Sequence, residues 1–590
     1  MTDEQHRRNR VAQWAFDTRP VLGRFHLWLE DVASEWMRGS PARGFGFAEP
    51  SLERALVAAA AVTALGTFLF GRYGEGKGLA KSGLNAVKKD ADAMSSYVLS
   101  EGLWFISRAL PENHAIMVCL GEGLMPKAGE TPEMGANPLL GFGRIYARPQ
   151  VARFLDRRVT QLINDEGYEW DDFYREVTEA GITIWGAAID TLENTSRFAN
   201  GAPTGPITVL HLFDQPLTIA RPFEGYMGNL FVPREVTRTA EESSVLLDFL
   251  TPRHKVLEVI EKTYPGIQRE HVHVWTLRGK SREQRLGRLW AEWEALGVDL
   301  VDDDTDLPGG HKAFTESGTY APIYRCGAWT EEGGKPHVFL CDGYAASAEA
   351  LQAATLARLF GLDASMAMYT SLFELPLDAE RHIMQLDPEA ANFAQRLQAL
   401  FPRPLADPEI AAYRANVRAA REANFALSKR VMTADDFFPK KQWRCLALSG
   451  FMLPDPYSGI DGVRQVASDT YRVAVRATSD LADARIDLSL RLMEDLNVSR
   501  LIFNPLLDRF VAGEDFESRP VKISDSGRIR NELQTLASQA LEFFGTNGIR
   551  VHFDRIHHDL MSPEKKERIR LVLEWYKKNH PVWFEWLEIR

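Results

Sequence analysis

Residues His271–Val301 read HVHVWTLRGKSREQRLGRLWAEWEALGVDLV. The opening run, Val272–Leu277, is short, apolar and rich in β-branched and aromatic residues, which predicts a strand buried on both faces. A polar turn, Arg278-Gly279-Lys280-Ser281, follows it. From Ser281 to Leu296 the sequence reads as a helix, and Gly297 supplies the stop signal. Val298–Val301 then begins a second apolar run. Strand, helix, strand at these lengths is a β-α-β unit, whose two strands are expected to run parallel.

Comparable apolar runs occur at His114–Leu120 (HAIMVCL), Ile207–Phe213 (ITVLHLF), His337–Cys341 (HVFLC), Trp443–Leu448 (WRCLAL) and Ile549–Phe553 (IRVHF). The last follows a helical stripe of Ile529, Leu533, Leu536, Ala540 and Phe544 closed by Gly545. Extended along the chain, this reading predicts an α/β fold: a mostly parallel sheet of β-α-β units in two parts. Residues 1–110 read as an N-terminal helical region, because Val11–Met37 mixes Trp, Phe and Leu with charges and no strand signal precedes His114. An α/β domain over 111–373 would carry the site. Residues 374–438 read as a helical connector, and 439–590 as a second α/β part. That part ends in a helix started by Ser562 and Pro563 and in an aromatic tail, Trp583-Phe584-Glu585-Trp586, suited to packing on the body or on a second subunit of a homo-oligomer.

Composition narrows the function classes. With 590 residues, 69 basic and 81 acidic side chains and a net charge of −12, the chain is no sequence-independent nucleic-acid binder. At 45 % apolar and 25 % charged residues it is neither disordered nor fibrous. Its four cysteines (Cys119, Cys326, Cys341, Cys445) form no C-x-x-C pair, which speaks against a disulfide framework or thiolate zinc site and for a reducing compartment. Cys326, between Arg325 and Gly327, has a cation beside it and is kept as a candidate nucleophile. Met1–Arg10 is polar and lacks the apolar core of a secretory signal. The uncharged stretch Ala55–Gly71 has 17 residues and is rich in alanine, which fits a buried helix better than a membrane span. The expectation is a soluble cytoplasmic protein without membrane partners.

In open α/β sheets, ligands bind beyond the carboxyl ends of the strands. Arg278, Gly279, Lys280 and Ser281 follow the first run above and open a helix, so free N–H groups and positive side chains would converge on an anion. The stretch is not a P-loop, because Val274 stands where that motif needs glycine. After the next run come Asp302, Asp303, Asp304 and Asp306. Carboxylates this dense repel one another unless a cation, a ribose hydroxyl or solvent relieves them, so they are candidate ligands for a divalent metal, Mg or Mn. Gly309-Gly310-His311-Lys312 and the polar residues to Tyr320 suit a substrate loop, with His311 as acid–base group and Lys312 beside it.

Other clusters carry less. His552, Asp554, His557, His558 and Asp559 match no known ligand spacing, and His271 and His273 sit at a strand start, where a structural role is expected. The basic stretch from Arg144 to Arg158 reads as a solvated helix face. Gly121-Glu122-Gly123 begins a dinucleotide fingerprint, but Pro126 occupies the third glycine position, and no dinucleotide, haem or iron–sulfur cofactor is expected. Together these features point to a metabolic enzyme acting on a small anionic substrate, phosphorylated ones included, with divalent-metal help. Isomerase, lyase and phosphoryl-transfer chemistry all suit the residues. The alternative is a non-catalytic ligand-binding or assembly protein.

Overall fold

The computed structural model describes residues 25–494, except 122–139, 141–142, 166, 218–225, 246, 280–281, 303–305, 309–310, 313–319, 332, 369–374, 376–378, 380–381, 384 and 423–430. Among the described residues the strands are, in chain order, β1 (Phe25–Arg38), β2 (His114–Gly121), β3 (Ile145–Ala147), β4 (Thr183–Glu193), β5 (Ile207–Phe213) and β6 (Tyr226–Pro233). Next come β7 (Val272–Trp275), β8 (Asp299–Leu300), β9 (Asp306–Leu307), β10 (His311–Lys312), β11 (Gly327–Thr330), β12 (Pro336–Ala346), β13 (Leu362–Met368) and β14 (Val431–Met432). The last four are β15 (Cys445–Phe451), β16 (Arg464–Gln465), β17 (Thr470–Ser479) and β18 (Asp483–Glu494). The runs expected at 529–553 and the helix and tail beyond them lie outside the described residues.

The described residues form two compact units, one from those within 25–217, 443–455 and 460–494, the other from those within 218–442 and 456–459. The first holds a sheet in the order β1-β18-β17-β15-β5-β4-β2-β3, with β16 beside β17. Every neighbouring pair in it is antiparallel except β2 and β4. In the second unit the order is β14-β13-β6-β12-β7-β8, with β11 beside β12, and β9 and β10 make a separate hairpin. There β7 runs parallel to both β12 and β8, and the other pairs are antiparallel.

The mostly parallel architecture expected from the sequence is therefore wrong: both main sheets are mixed and dominated by antiparallel pairs. The physical reason is that an apolar run reports burial and not direction. Ile207–Phe213 and Cys445–Phe451 are buried at every position, as a central parallel strand would be, yet they pair antiparallel with each other. The β-α-β reading of 271–301 itself holds, with His273 beside Asp299 and Val274 beside Leu300 in parallel register.

The N-terminal region needs a second correction. Phe25–Arg38 is not helical; it pairs antiparallel along the whole length of β18. Trp28, Leu29, Val32 and Trp36 fall at helix-like intervals, but the strand is decided by its distant partner. Helices do follow, at Pro50–Phe70 and Lys81–Ala109. The first, alone among the described helices, is long and apolar enough to cross a membrane. In this unit it lies on β5, β15 and β17, with Ala60, Ala61 and Ala64 fully buried in the core. Gly450 of β15 permits that approach, since a Cβ there would stand 2.4 Å from the Ala60 carbonyl oxygen.

Candidate functional site

The carboxyl edge of β7 and β8 is where the sequence places the site. The chain leaves β7 through buried Thr276 and Leu277 and reaches Arg278, while the Val301 N–H donates to the Val274 carbonyl at 3.0 Å and brings Asp302 alongside. Arg278 Nη1 lies 2.6 Å from Asp302 Oδ1, and Nη2 lies 3.6 Å from Glu294 Oε1. The guanidinium carbon stands 5.4 Å from the centre of the Trp290 ring, close enough for a cation–π contact. Trp290 Nε1–H is buried without an acceptor. The Arg278 side chain is 22 % exposed and that of Asp302 is 67 % exposed, so solvent reaches the pair from the aspartate side.

Gly279 has φ of +119°, a region L side chains rarely adopt, and its carbonyl accepts from the Arg282 N–H at 2.8 Å. That turn delays the helix, which spans Glu283–Leu296 with Arg282 at its N-cap. Glu283 occupies the first turn, so a carboxylate of the chain itself already complements the positive end of the helix. Lys280 and Ser281 lie outside the described residues, as do Asp303 and Asp304. Asp306 and Lys312 face each other across the β9–β10 hairpin, and His311 pairs with Leu307. Thus the structure joins a predicted anion-binding residue directly to a predicted metal ligand, and sets a third candidate opposite a fourth. Cys326, the candidate nucleophile, is partly exposed, with its sulfur 3.2 Å from that of Cys341.

A second constellation, which sequence reasoning missed, crosses one face of the same sheet. His273 Nδ1 hydrogen-bonds Asp299 Oδ2, His273 Nε2 lies 3.0 Å from His337 Nδ1, and His337 Nε2 lies 3.3 Å from Glu331 Oε2. Trp329 stacks on both imidazoles, with centroids 5.6 Å from His273 and 5.3 Å from His337, and the Arg325 guanidinium carbon is 3.7 Å from the Trp329 ring centre. The two imidazoles are buried while both carboxylates reach solvent. Burial, followed by the neighbouring His271 ring, pushes the His337 imidazole below its usual range, against the pull of Glu331. The sequence signal was a histidine at the start of two apolar runs, but nothing local says that the runs are parallel neighbours.

Two further groups of buried charged side chains bear on where a ligand could sit. Arg253 grips Asp342 at both carboxylate oxygens, at 2.5 and 2.7 Å, and donates to the carbonyls of Phe249 and Thr251, while Trp293 Nε1 donates to Asp342 Oδ2 at 2.6 Å. Burial raises the Asp342 carboxyl and Arg253 opposes it, so the cluster is an internal brace closed to ligands. In the first unit the carboxylates of Asp190 and Glu193 at the end of β4 are both buried and approach within 4.8 Å. No known protein family matches the chain, and neither does any curated protein.

Proposed function

We propose that the carboxyl edge of β7 and β8 binds a small anionic metabolite, a phosphorylated one included, together with a divalent cation, in a soluble cytoplasmic enzyme. One observation carries this reading: the 2.6 Å pair of Arg278 and Asp302 at that edge. Asp302 is mostly exposed, so the ion pair is weak and exchangeable. A phosphate or carboxylate is a bidentate match for a guanidinium and would take Arg278 from Asp302. The aspartate so released, with Asp306 beyond it, offers oxygen ligands to a hard cation that can also bridge to the phosphate. The Trp290 indole N–H is one further donor. Anion and metal would therefore bind cooperatively, each removing the partner that competes with the other. His311 and Lys312 on the adjoining hairpin are the groups proposed for proton transfer in isomerase, lyase or phosphoryl-transfer chemistry.

A non-catalytic ligand-binding or assembly role has its own support. Arg278 is already faced by two carboxylates of its own chain, Asp302 and Glu294, and such a residue can simply hold a turn together. Thermal-shift measurements with phosphorylated sugars, nucleotides and small carboxylates, each with and without Mg²⁺ or Mn²⁺, separate the two. A ligand at about a hundred times its dissociation constant stabilises the fold by roughly 2.7 kcal/mol. A shift that needs both a phosphorylated compound and a divalent ion, and is lost in Arg278→Ala, supports the enzyme reading. The absence of any shift supports the interaction protein.

A further inference from the structure

We propose that Cys326 and Cys341 form a reversible disulfide, making the β11–β12 hairpin of the second unit a site of oxidative modification by peroxides. The two sulfurs lie 3.2 Å apart, so closing a bond of about 2.05 Å needs an approach of about 1.2 Å. Cys326 stands at the start of the hairpin, where its N–H donates to the Ile323 carbonyl at 3.2 Å, ending a short turn. Gly327 beside it has φ of +149° and open space where a Cβ would lie, which leaves the backbone room to make that approach. Cys341 lies within β12, fully buried between β6 and β7.

These settings divide the roles. Cys326 is partly exposed and has the Arg325 guanidinium beside it in the chain. Cys341 stays a thiol, because burial and the contact with Cys326 push it well above its usual range. A hydroperoxide would meet Cys326 first. Its thiolate attacks one oxygen, the O–O bond breaks, and the departing alkoxide or hydroxide takes a proton, leaving a sulfenic acid. The Cys341 sulfur then attacks the Cys326 sulfur, the S–O bond breaks, and hydroxide leaves with the Cys341 proton as water. In sum two thiols and one hydroperoxide become a disulfide, an alcohol (or water) and water. An external dithiol reverses the bond by exchange. The proposal is independent of the anion site.

The test is thiol counting and peptide mapping on the whole chain after brief treatment with hydrogen peroxide. Expected is a fall from four free thiols to two, one peptide cross-linked between Cys326 and Cys341, and full recovery with dithiothreitol. The conservative Cys326→Ser variant, at a partly exposed position, should keep its remaining thiols. Cys341→Ala should instead accumulate a sulfenic acid on Cys326 that dimedone traps. Should Cys341→Ala fail to fold, the map of the unaltered protein decides alone. An unchanged thiol count, a Cys326 oxidised without the cross-link, or a bond formed between two copies of the chain would overturn the proposal.

Discussion

Arg278 and Asp302, which leave adjacent parallel strands, meet at 2.6 Å on the exposed rim of the second sheet. The contact explains how part of a dense aspartate run is tolerated: the relieving cation belongs to the protein. It also sets up a competition that mutation can read. Asp302→Asn removes the nearer of Arg278's two rival carboxylates, so inorganic phosphate should bind a few-fold more tightly without metal. Arg278→Ala should lose phosphate binding altogether. Folding stability should change by about 1 kcal/mol or less in each, as for other exposed pairs. Isothermal titration with phosphate and urea melts provide the two readouts; equal phosphate affinity in all three proteins would remove Arg278 from the site.

The Arg253–Asp342–Trp293 brace behaves oppositely. Both charged side chains are buried, at 1 % and 0 % exposure. Arg253→Met leaves a carboxylate without its counter-ion in the core and should cost about 3–5 kcal/mol in urea denaturation. Arg253→Met with Asp342→Leu should recover much of that loss, because no charge is then stranded. A double variant as unstable as the sum of its singles would show that the two residues act separately.

Acid sensitivity should come from His211 on β5. The ring is fully buried, 6.3 Å from that of Phe213, and burial holds its pKa down at about 3. In the unfolded chain the same group titrates near about 6.5, so as the pH falls the unfolded state takes up the proton first. Its contribution is complete above about 6.5 and is lost towards about 3, at up to roughly 1.4 kcal/mol per pH unit. His337, also lowered, acts in the same direction. Chemical denaturation of His211→Phe between pH 7 and pH 4 should show a flatter dependence than the parent. Parallel curves would assign the acid sensitivity elsewhere.

How much of this could be read from the chain depends on whether the deciding contact is local. The β7–helix–β8 unit was legible because strand, turn and helix follow one another, and so was the rim with Arg278 and Asp302. Burial of the alanine-rich helix was legible too, since its composition alone distinguishes close packing from a lipid-facing span. Strand direction was not, because Ile207–Phe213 and Cys445–Phe451 carry the pattern of burial without that of pairing. Phe25–Arg38 likewise takes its conformation from β18. The imidazole row was hidden for the same reason: His273 and His337 meet only through the register of β7 and β12.

Gly450 offers a check on the first unit. A methyl group there would press on the Ala60 carbonyl, a backbone atom of a long packed helix that cannot step aside cheaply. Gly450→Ala should destabilise the unit by about 1–3 kcal/mol, as overpacked cores do. A neutral result in thermal or urea melts would mean that the helix lies farther from β15.

The central claim, that anion and metal share one exchangeable ion pair, is tested most directly by titrating Mg²⁺ calorimetrically with and without saturating inorganic phosphate. The account predicts Mg²⁺ binding that strengthens several-fold when phosphate is present. In Arg278→Ala the enhancement should vanish, because nothing then draws phosphate to the edge. Mg²⁺ affinity that is the same with and without phosphate, or an enhancement that survives in Arg278→Ala, would contradict it.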